Sequence, residues 1–152
     1  MMQDLASVDE ILDFAIEREN EARDFYLSLA KEVSSAHMKK LFESFAAQEQ
    51  KHADKLLAVK RGGGLKPSDK PVPDLKLSDY LDDSDVSEQI DYQGALVMAM
   101  QREKLSFKLY TDLAALAVTP TVKDTLEALA QEEARHKLYL ELEYDELILS
   151  EN

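Results

Sequence analysis

The chain has 152 residues, no cysteine, and a formal net charge of −13 from 31 acidic and 18 basic residues. A hydrophobic content of 45% suits one helical domain with a buried core, and the lack of cysteine excludes disulfides, thiol catalysis and cysteine-ligated iron. A surface this acidic repels nucleic-acid phosphates and anionic lipids, whereas its carboxylates can bind cations. Because the sequence shows no secretory signal and no apolar run near the ~18 residues that span a bilayer, we expect a cytoplasmic protein without nucleic-acid or membrane partners.

The first half of the chain predicts two long helices. The first spans about residues 7–32, where Ser7 and Glu10 form a capping-box pattern before apolar residues recur at helical spacing. The second spans about residues 35–61 and ends at Gly62 to Gly64, because glycine readily adopts the left-handed conformation that closes helices. The link between them is only a few residues, so we expect an antiparallel hairpin.

The second half predicts another helical hairpin. Its first helix spans about residues 88–118. Thr119 then fits the N-cap position and Pro120 the first helical position of a last helix, which spans about residues 120–149. The link between these two helices is again short.

The connection between the hairpins, about residues 62–87, differs in composition from the helices. It carries three of the four prolines, and we expect one short helical turn near Leu77 to Leu81. A helix of about 25 residues is about 37 Å long, and a connection of about 25 residues can cross that length. We therefore predict a single all-α domain over residues 1–152, a four-helix bundle of two hairpins joined by one long crossover.

The sequence repeats itself at a fixed offset of 84 residues. The first and third helices share Ala15 with Ala99, Arg18 with Arg102, Glu19 with Glu103, Tyr26 with Tyr110, Leu29 with Leu113 and Ala30 with Ala114. The second and fourth share Lys39 with Lys123, Glu43 with Glu127, Ala46 with Ala130, Glu49 with Glu133 and His52 with His136. One offset that serves both helix pairs indicates two copies of one hairpin, so shared residues should face each other across an approximate two-fold axis.

Six of the repeated residues have the chemistry of a two-metal site. Two Glu-x-x-His pairs place a carboxylate and an imidazole on one helix face, and a glutamate from each remaining helix completes the ligand inventory of a di-iron or di-manganese bundle. Four carboxylates also balance the charge of two divalent ions, and mixed oxygen and imidazole ligands suit iron or manganese. The predicted ligands are Glu19, Glu49, His52, Glu103, Glu133 and His136.

Other polar residues near these positions have less specific interpretations. Tyr26 and Tyr110 lie seven residues after Glu19 and Glu103, on the same faces, so each is either a core tyrosine or a phenol that bonds a ligand carboxylate. His37 has no glutamate three residues before it, and we interpret it as a surface or capping histidine. Five flanking charged residues are interpreted as solvated helix faces: Glu17, Glu21, Lys51, Glu132 and Arg135.

At these motifs the sequence resembles the rubrerythrin family of the ferritin-like superfamily. The resemblance lies in the segments ERENEARDFY, QEQKHADKL, QREKLSFKLY and QEEARHKLY, which together extend over nearly the whole chain. It implies a ferritin-like bundle that holds two iron ions, or manganese, between the same six residues and reduces hydrogen peroxide or dioxygen. It also suggests a homodimer, in which the long connection could let one hairpin swap between chains.

Two features depart from the family pattern. Rubrerythrins proper carry a cysteine-ligated domain that supplies electrons, so in this chain the electron donor must be a separate protein. Many members also carry an extra third-helix carboxylate, whereas Lys104 to Thr111 contains no acid, which makes the ligand set more like that of ferritin or bacterioferritin. Three functions stay open: a di-iron oxidoreductase with a role in oxidative-stress defence, a ferroxidase that handles iron, and a non-catalytic helical scaffold with a structural or degenerate site.

Overall fold

A computed structural model describes residues 5–62, 65, 71–81 and 91–151, and in these ranges four long helices dominate the fold. In chain order the elements are β1 (Leu5–Ser7), α1 (Val8–Glu32), α2 (Ala36–Gly62), β2 (Pro71–Lys76), a 3₁₀ turn (Leu77–Tyr80), α3 (Tyr92–Ala114) and α4 (Pro120–Glu151). Helix α1 packs along α2, and α3 packs along α4. The predicted ferritin-like four-helix bundle is confirmed.

Side-chain caps lie at the two helix starts that the sequence predicted from cap residues, those of α1 and α4. The Ser7 hydroxyl accepts from the Glu10 backbone N–H, and the Glu10 carboxylate accepts from the Ser7 N–H, each at 3.1 Å. The Thr119 hydroxyl accepts from the Val122 N–H at 3.2 Å, and Pro120 is the first helical residue of α4. Both predicted starts are confirmed, because each cap satisfies N–H groups that have no partner inside the helix.

Helix α3 is shorter than its sequence pattern predicts. Asp91 caps its start, and it ends at Ala114 rather than at Val118. Beyond Ala114 the backbone N–H of Leu116 bonds to the Leu113 carbonyl at 2.9 Å, and that of Ala117 bonds to the Ala114 carbonyl at 3.2 Å. These bonds span three residues instead of four and tighten the chain into a turn. The chain has to reverse before Pro120 starts α4, so the last apolar residues of the periodic pattern form the reversal.

The crossover adds a feature that the sequence did not predict. Strand β2 pairs antiparallel with β1, with an irregular register. The predicted helical turn is confirmed at Leu77–Tyr80, where Tyr80 is buried and its hydroxyl donates to Asp112 of α3 at 2.8 Å. The crossover is therefore held at two places, by β1 just before α1 and by Asp112 near the end of α3. The glycines 63 and 64, which the sequence analysis placed at the end of the second helix, and residue 88, where it placed the start of the third, lie outside the described residues.

Two apolar clusters form the core, one toward each end of the bundle. The first joins the start of α1, the end of α2, the end of α3 and the start of α4, with Ile11, Leu56, Leu113 and Leu126 fully buried. The second joins the opposite ends of the first three helices with the middle of α4, around Phe42, Leu96 and Leu140. The polar residues lie between them. No helix in the described part of the chain combines the length and apolar character that a membrane crossing requires.

The capping box makes a stability prediction. Ser7→Ala removes the acceptor for the Glu10 N–H, so we expect the free energy of unfolding to fall by about 1 kcal/mol. Denaturant unfolding followed by circular dichroism measures this. The control is Ser28→Ala at an exposed position of the same helix, and equal stabilities for the two variants would contradict the assigned cap.

Candidate metal centre

Six polar side chains from all four helices meet between the two apolar clusters. Each is at most 2% exposed, although glutamate and histidine are rarely so buried. They are the six residues that the sequence singled out: Glu19 on α1, Glu49 and His52 on α2, Glu103 on α3, and Glu133 and His136 on α4. The structure therefore brings together every predicted ligand.

The cluster consists of two overlapping groups of four residues. In each group the potential ligand atoms all lie within 4.8 Å of one another. Glu49 and Glu133 belong to both groups. One group is completed by Glu19 and His52, and the other by Glu103 and His136. The arrangement follows the repeat, because each group takes its own glutamate and histidine from one half of the chain.

The nitrogen and oxygen atoms that converge here lie close together without hydrogen-bond partners. Nδ1 of His52 lies 3.3–3.6 Å from an oxygen of each carboxylate in its group, and Nδ1 of His136 lies 3.2–3.4 Å from those in its own. Within the described residues, eight buried side-chain atoms lack a hydrogen-bond partner, and all belong to this cluster. Buried polar atoms left unpartnered are costly, and carboxylate oxygens with imidazole nitrogens are the donor set that iron or manganese prefers. The residues present therefore fit a metal centre.

Burial and mutual repulsion shift the proton affinities of the cluster. Burial raises the pKa of Glu49 and of Glu133 well above its usual range, and the neighbouring carboxylates raise it further. Burial alone would lower the pKa of His52, but the nearby carboxylates of Glu133 and Glu19 outweigh it and raise the value to about 11. Without a cation the cluster therefore holds protons, which a bound cation would displace.

Two buried tyrosines hold the carboxylates that belong to one group only. Tyr26 donates to Oε1 of Glu103 at 3.1 Å, and Tyr110 donates to Oε1 of Glu19. Each phenol thus reaches the glutamate of the other half of the repeat. Oε2 of each carboxylate stays unpartnered and faces the histidine of its group. Burial raises the pKa of both tyrosines well above the usual range, which keeps the phenols protonated as donors.

Two residues behind the histidines were missed by the sequence analysis. Nε2 of His136 lies 2.7 Å from Oε1 of Gln48, and Nε2 of His52 lies 3.5 Å from Oε1 of Glu132. The interpretation of Glu132 as a solvated helix face is therefore wrong: its side chain is only 28% exposed and contacts a buried ring. The repeat could have indicated both residues, because the offset of 84 also pairs Gln48 with Glu132, and each lies directly before a Glu-x-x-His. His37 is exposed, as its lack of a glutamate partner predicts.

A four-helix bundle with two Glu-x-x-His helices and two further glutamates at its centre is typical of the ferritin-like carboxylate proteins. The sequence matches the rubrerythrin family over residues 10–144, and the chain belongs to that family.

Two solved structures share the fold. One is a protein from Thermotoga maritima provisionally described as a ferritin-like diiron-carboxylate protein, with 23% identity, a TM-score of 0.80, and coverage of 95% of this chain and 98% of that chain. The other is a hypothetical protein from Pyrococcus furiosus, with 25% identity, a TM-score of 0.71, and coverage of 93% and 90%. No curated protein matches the sequence.

The cluster predicts a conflict between stability and metal binding. Glu133→Gln keeps the shape of the side chain but removes a carboxyl that must take up a proton to be buried here. In the presence of a chelator we therefore expect unfolding to cost at least about 1 kcal/mol more than in the wild type. The same variant should lose the rise in Tm that added Fe²⁺ or Mn²⁺ gives the wild type. Thermal unfolding with and without metal measures both effects.

The pH dependence of this gain has a definite sign. The folded-state pKa of Glu133 is raised, so the wild-type carboxyl destabilises the fold at neutral pH. This destabilisation becomes smaller as the pH falls toward the ordinary pKa of a glutamate, which is its pKa in the unfolded chain. The advantage of Glu133→Gln should therefore shrink on acidification. Glu127→Gln, at an exposed position of the same helix, is the control and should change neither stability nor metal response. A Glu133→Gln protein that still responds to metal like the wild type would contradict the assignment.

Proposed function

We propose that the protein is a non-haem di-iron carboxylate oxidoreductase that reduces hydrogen peroxide or dioxygen. The observation that supports this most is the convergence of eight buried, unpartnered ligand atoms in two overlapping groups. Membership of the rubrerythrin family supports it from the sequence. Four glutamates would neutralise two divalent ions, so the loaded centre would carry little net charge in a low-dielectric core.

Each part of the cluster has a distinct role in this proposal. The ligands would be Glu19 and His52 for one iron ion, Glu103 and His136 for the other, and Glu49 and Glu133 for both. When bound, the two ions would supply the two electrons that convert hydrogen peroxide and two protons to two molecules of water, or dioxygen and two protons to hydrogen peroxide. Manganese suits the same ligands.

The tyrosines would keep two of the carboxylates in a fixed orientation. Tyr26 and Tyr110 each occupy one oxygen of a glutamate, so the other oxygen points into the cluster. Fixed ligands need less reorganisation when the charge of the centre changes. The apolar clusters on either side exclude bulk water from the same region.

A small cavity between α1 and α3 supports a small oxidant. Its lining extends from the exposed Glu21 to the buried Glu103 and Tyr110, and Ser106 and Leu105 form part of its wall. Its volume is about 30 Å³. One water molecule needs at least about 10–15 Å³, so the cavity is large enough for a molecule the size of peroxide or dioxygen.

Rapid mixing tests the proposed reaction. Protein loaded anaerobically with Fe²⁺ is mixed with peroxide or with dioxygen, and the remaining Fe²⁺ and oxidant are measured. We expect about two ferrous ions per chain to be oxidised. A His52→Ala, His136→Ala variant should lose this reaction, whereas the matched control His37→Ala at an exposed position should keep it.

The other two functions predict different results. Oxidation of many Fe²⁺ ions per chain, with iron as substrate, would favour the ferroxidase, which the lack of an extra acid in Lys104 to Thr111 also favours. Native protein without stoichiometric metal would favour the scaffold. If neither oxidant consumes the bound Fe²⁺, the redox function is wrong. The separate electron donor and the homodimer with exchanged hairpins stay predictions from the sequence.

The cavity makes its own prediction. Ser106→Leu would fill it, so we expect the oxidation rate to fall at least about tenfold, which corresponds to about 1.4 kcal/mol in the barrier. Metal affinity should not change, because Ser106 contributes no atom to the cluster. Ser28→Leu at an exposed position is the control. An unchanged rate in a folded, metal-loaded Ser106→Leu protein would mean that the oxidant enters elsewhere.

A further inference from the structure

The two histidines of the cluster have the same orientation but different supports. In both rings Nδ1 faces the carboxylates and Nε2 faces outward. A metal on Nδ1 requires the proton to be on Nε2, and an acceptor behind Nε2 stabilises that tautomer. Gln48 supplies the acceptor for His136 and Glu132 supplies it for His52.

The support behind His136 is a neutral amide in a fixed orientation. The Gln48 amide nitrogen donates to the Ser44 hydroxyl at 3.2 Å, which leaves the amide oxygen directed at His136 at 2.7 Å. This contact is a hydrogen bond of normal length. It orients the ring without adding charge to its half of the cluster.

The support behind His52 is a carboxylate. Glu132 lies 3.5 Å from Nε2, an ion-pair distance rather than a normal hydrogen bond, and Nε2 has no hydrogen-bond partner among the residues that the structure describes. An anion behind an imidazole increases the electron density on the opposite ring nitrogen and strengthens its bond to a cation. Because Glu132 is mostly buried, water screens this effect only in part.

We propose that Gln48 and Glu132 are positioning residues that make the two halves of the centre unequal, so that the Glu19–His52 half binds a divalent cation before the Glu103–His136 half. The inference rests on the proposed two-metal centre. The ligands repeat across the two halves, whereas their supports differ at the same repeat position. The difference therefore lies in one pair of residues that can be exchanged.

The test uses Zn²⁺ as the probe and full-length protein with ¹⁵N-labelled histidine. The chain has three histidines, so each ring can be assigned, and the exposed His37 serves as a ring that stays free of metal. Proton–nitrogen spectra recorded at one equivalent of Zn²⁺ show which Nδ1 has bound the ion. In the wild type we expect His52 to bind first. Calorimetry of the same titration gives the ratio of the two affinities.

Exchange of the two residues provides the matched comparison. The double variant Gln48→Glu, Glu132→Gln keeps composition and net charge, and we expect it to reverse the order, so that His136 binds first. Glu132→Gln alone should reduce the affinity of the His52 half by roughly ten- to a hundredfold. Glu127→Gln removes a charge elsewhere on α4 at an exposed position and should change neither order nor ratio.

The outcomes separate the two proposals. If two Zn²⁺ ions bind but the order and the affinity ratio are the same in the wild type and the exchanged variant, the inference is wrong and the two-metal centre stands. If the wild type does not bind two ions, the two-metal centre and the inference both fail. A reversed order with unchanged thermal stability of the metal-free proteins supports the inference, because a merely structural role would not move a metal from one ring to the other.

Discussion

Four carboxylates and two imidazoles lie in the middle of a helical core, where an uncompensated charge is very costly, and this burial constrains the rest of the structure. The apolar residues are divided between the two ends of the bundle because the centre contributes no hydrophobic stabilisation. Burial and repulsion raise the pKa of Glu49 and of Glu133, so without a cation these carboxyls favour the protonated form. A bound cation would displace those protons and would contact atoms that have no hydrogen-bond partner.

The centre combines a symmetric set of ligands with asymmetric surroundings. Phe45 stacks on the ring of His136, with centroids 4.2 Å apart and planes at 25°, whereas the residue at the same repeat position in the other half is Leu129. The supports Gln48 and Glu132 differ in charge. A reaction that moves two electrons to one small molecule does not need two identical ions, and inequality of this kind lets one half of a centre fill and react differently from the other.

The sequence predicted the six residues of the cluster because they depend on spacing and repetition. Helical periodicity placed Glu49 with His52, and the offset of 84 related them to Glu133 and His136 without any knowledge of the packing. Gln48 escaped notice because a single amide beside an acidic stretch resembles any solvated residue, and only the approach of α2 to α4 reveals its contact.

The strands escaped prediction for a related reason. Strand β1 has three residues, and its partner β2 lies beyond α2 and contains prolines, so neither segment shows an extended alternating pattern. The end of α3 was predicted too late because the apolar periodicity continues through residues that the chain needs for its reversal before Pro120. In both cases tertiary geometry decides between local structures that the sequence alone allows.

The reciprocal tyrosine contacts also bear on how a duplicated chain can diverge. Tyr26 donates a hydrogen bond to Glu103, and Tyr110 donates one to Glu19, so a substitution of a tyrosine in one copy of the repeat changes the contacts of a carboxylate in the other copy. A change of either tyrosine would therefore remove a hydrogen bond to a glutamate of the other copy. Positions 48 and 132 each contact the outer edge of one histidine ring, and there the two copies carry different residues. Residues that hydrogen-bond across the two hairpins, such as the tyrosines, are thus constrained by both copies of the repeat. The residues at positions 48 and 132 can differ between the copies.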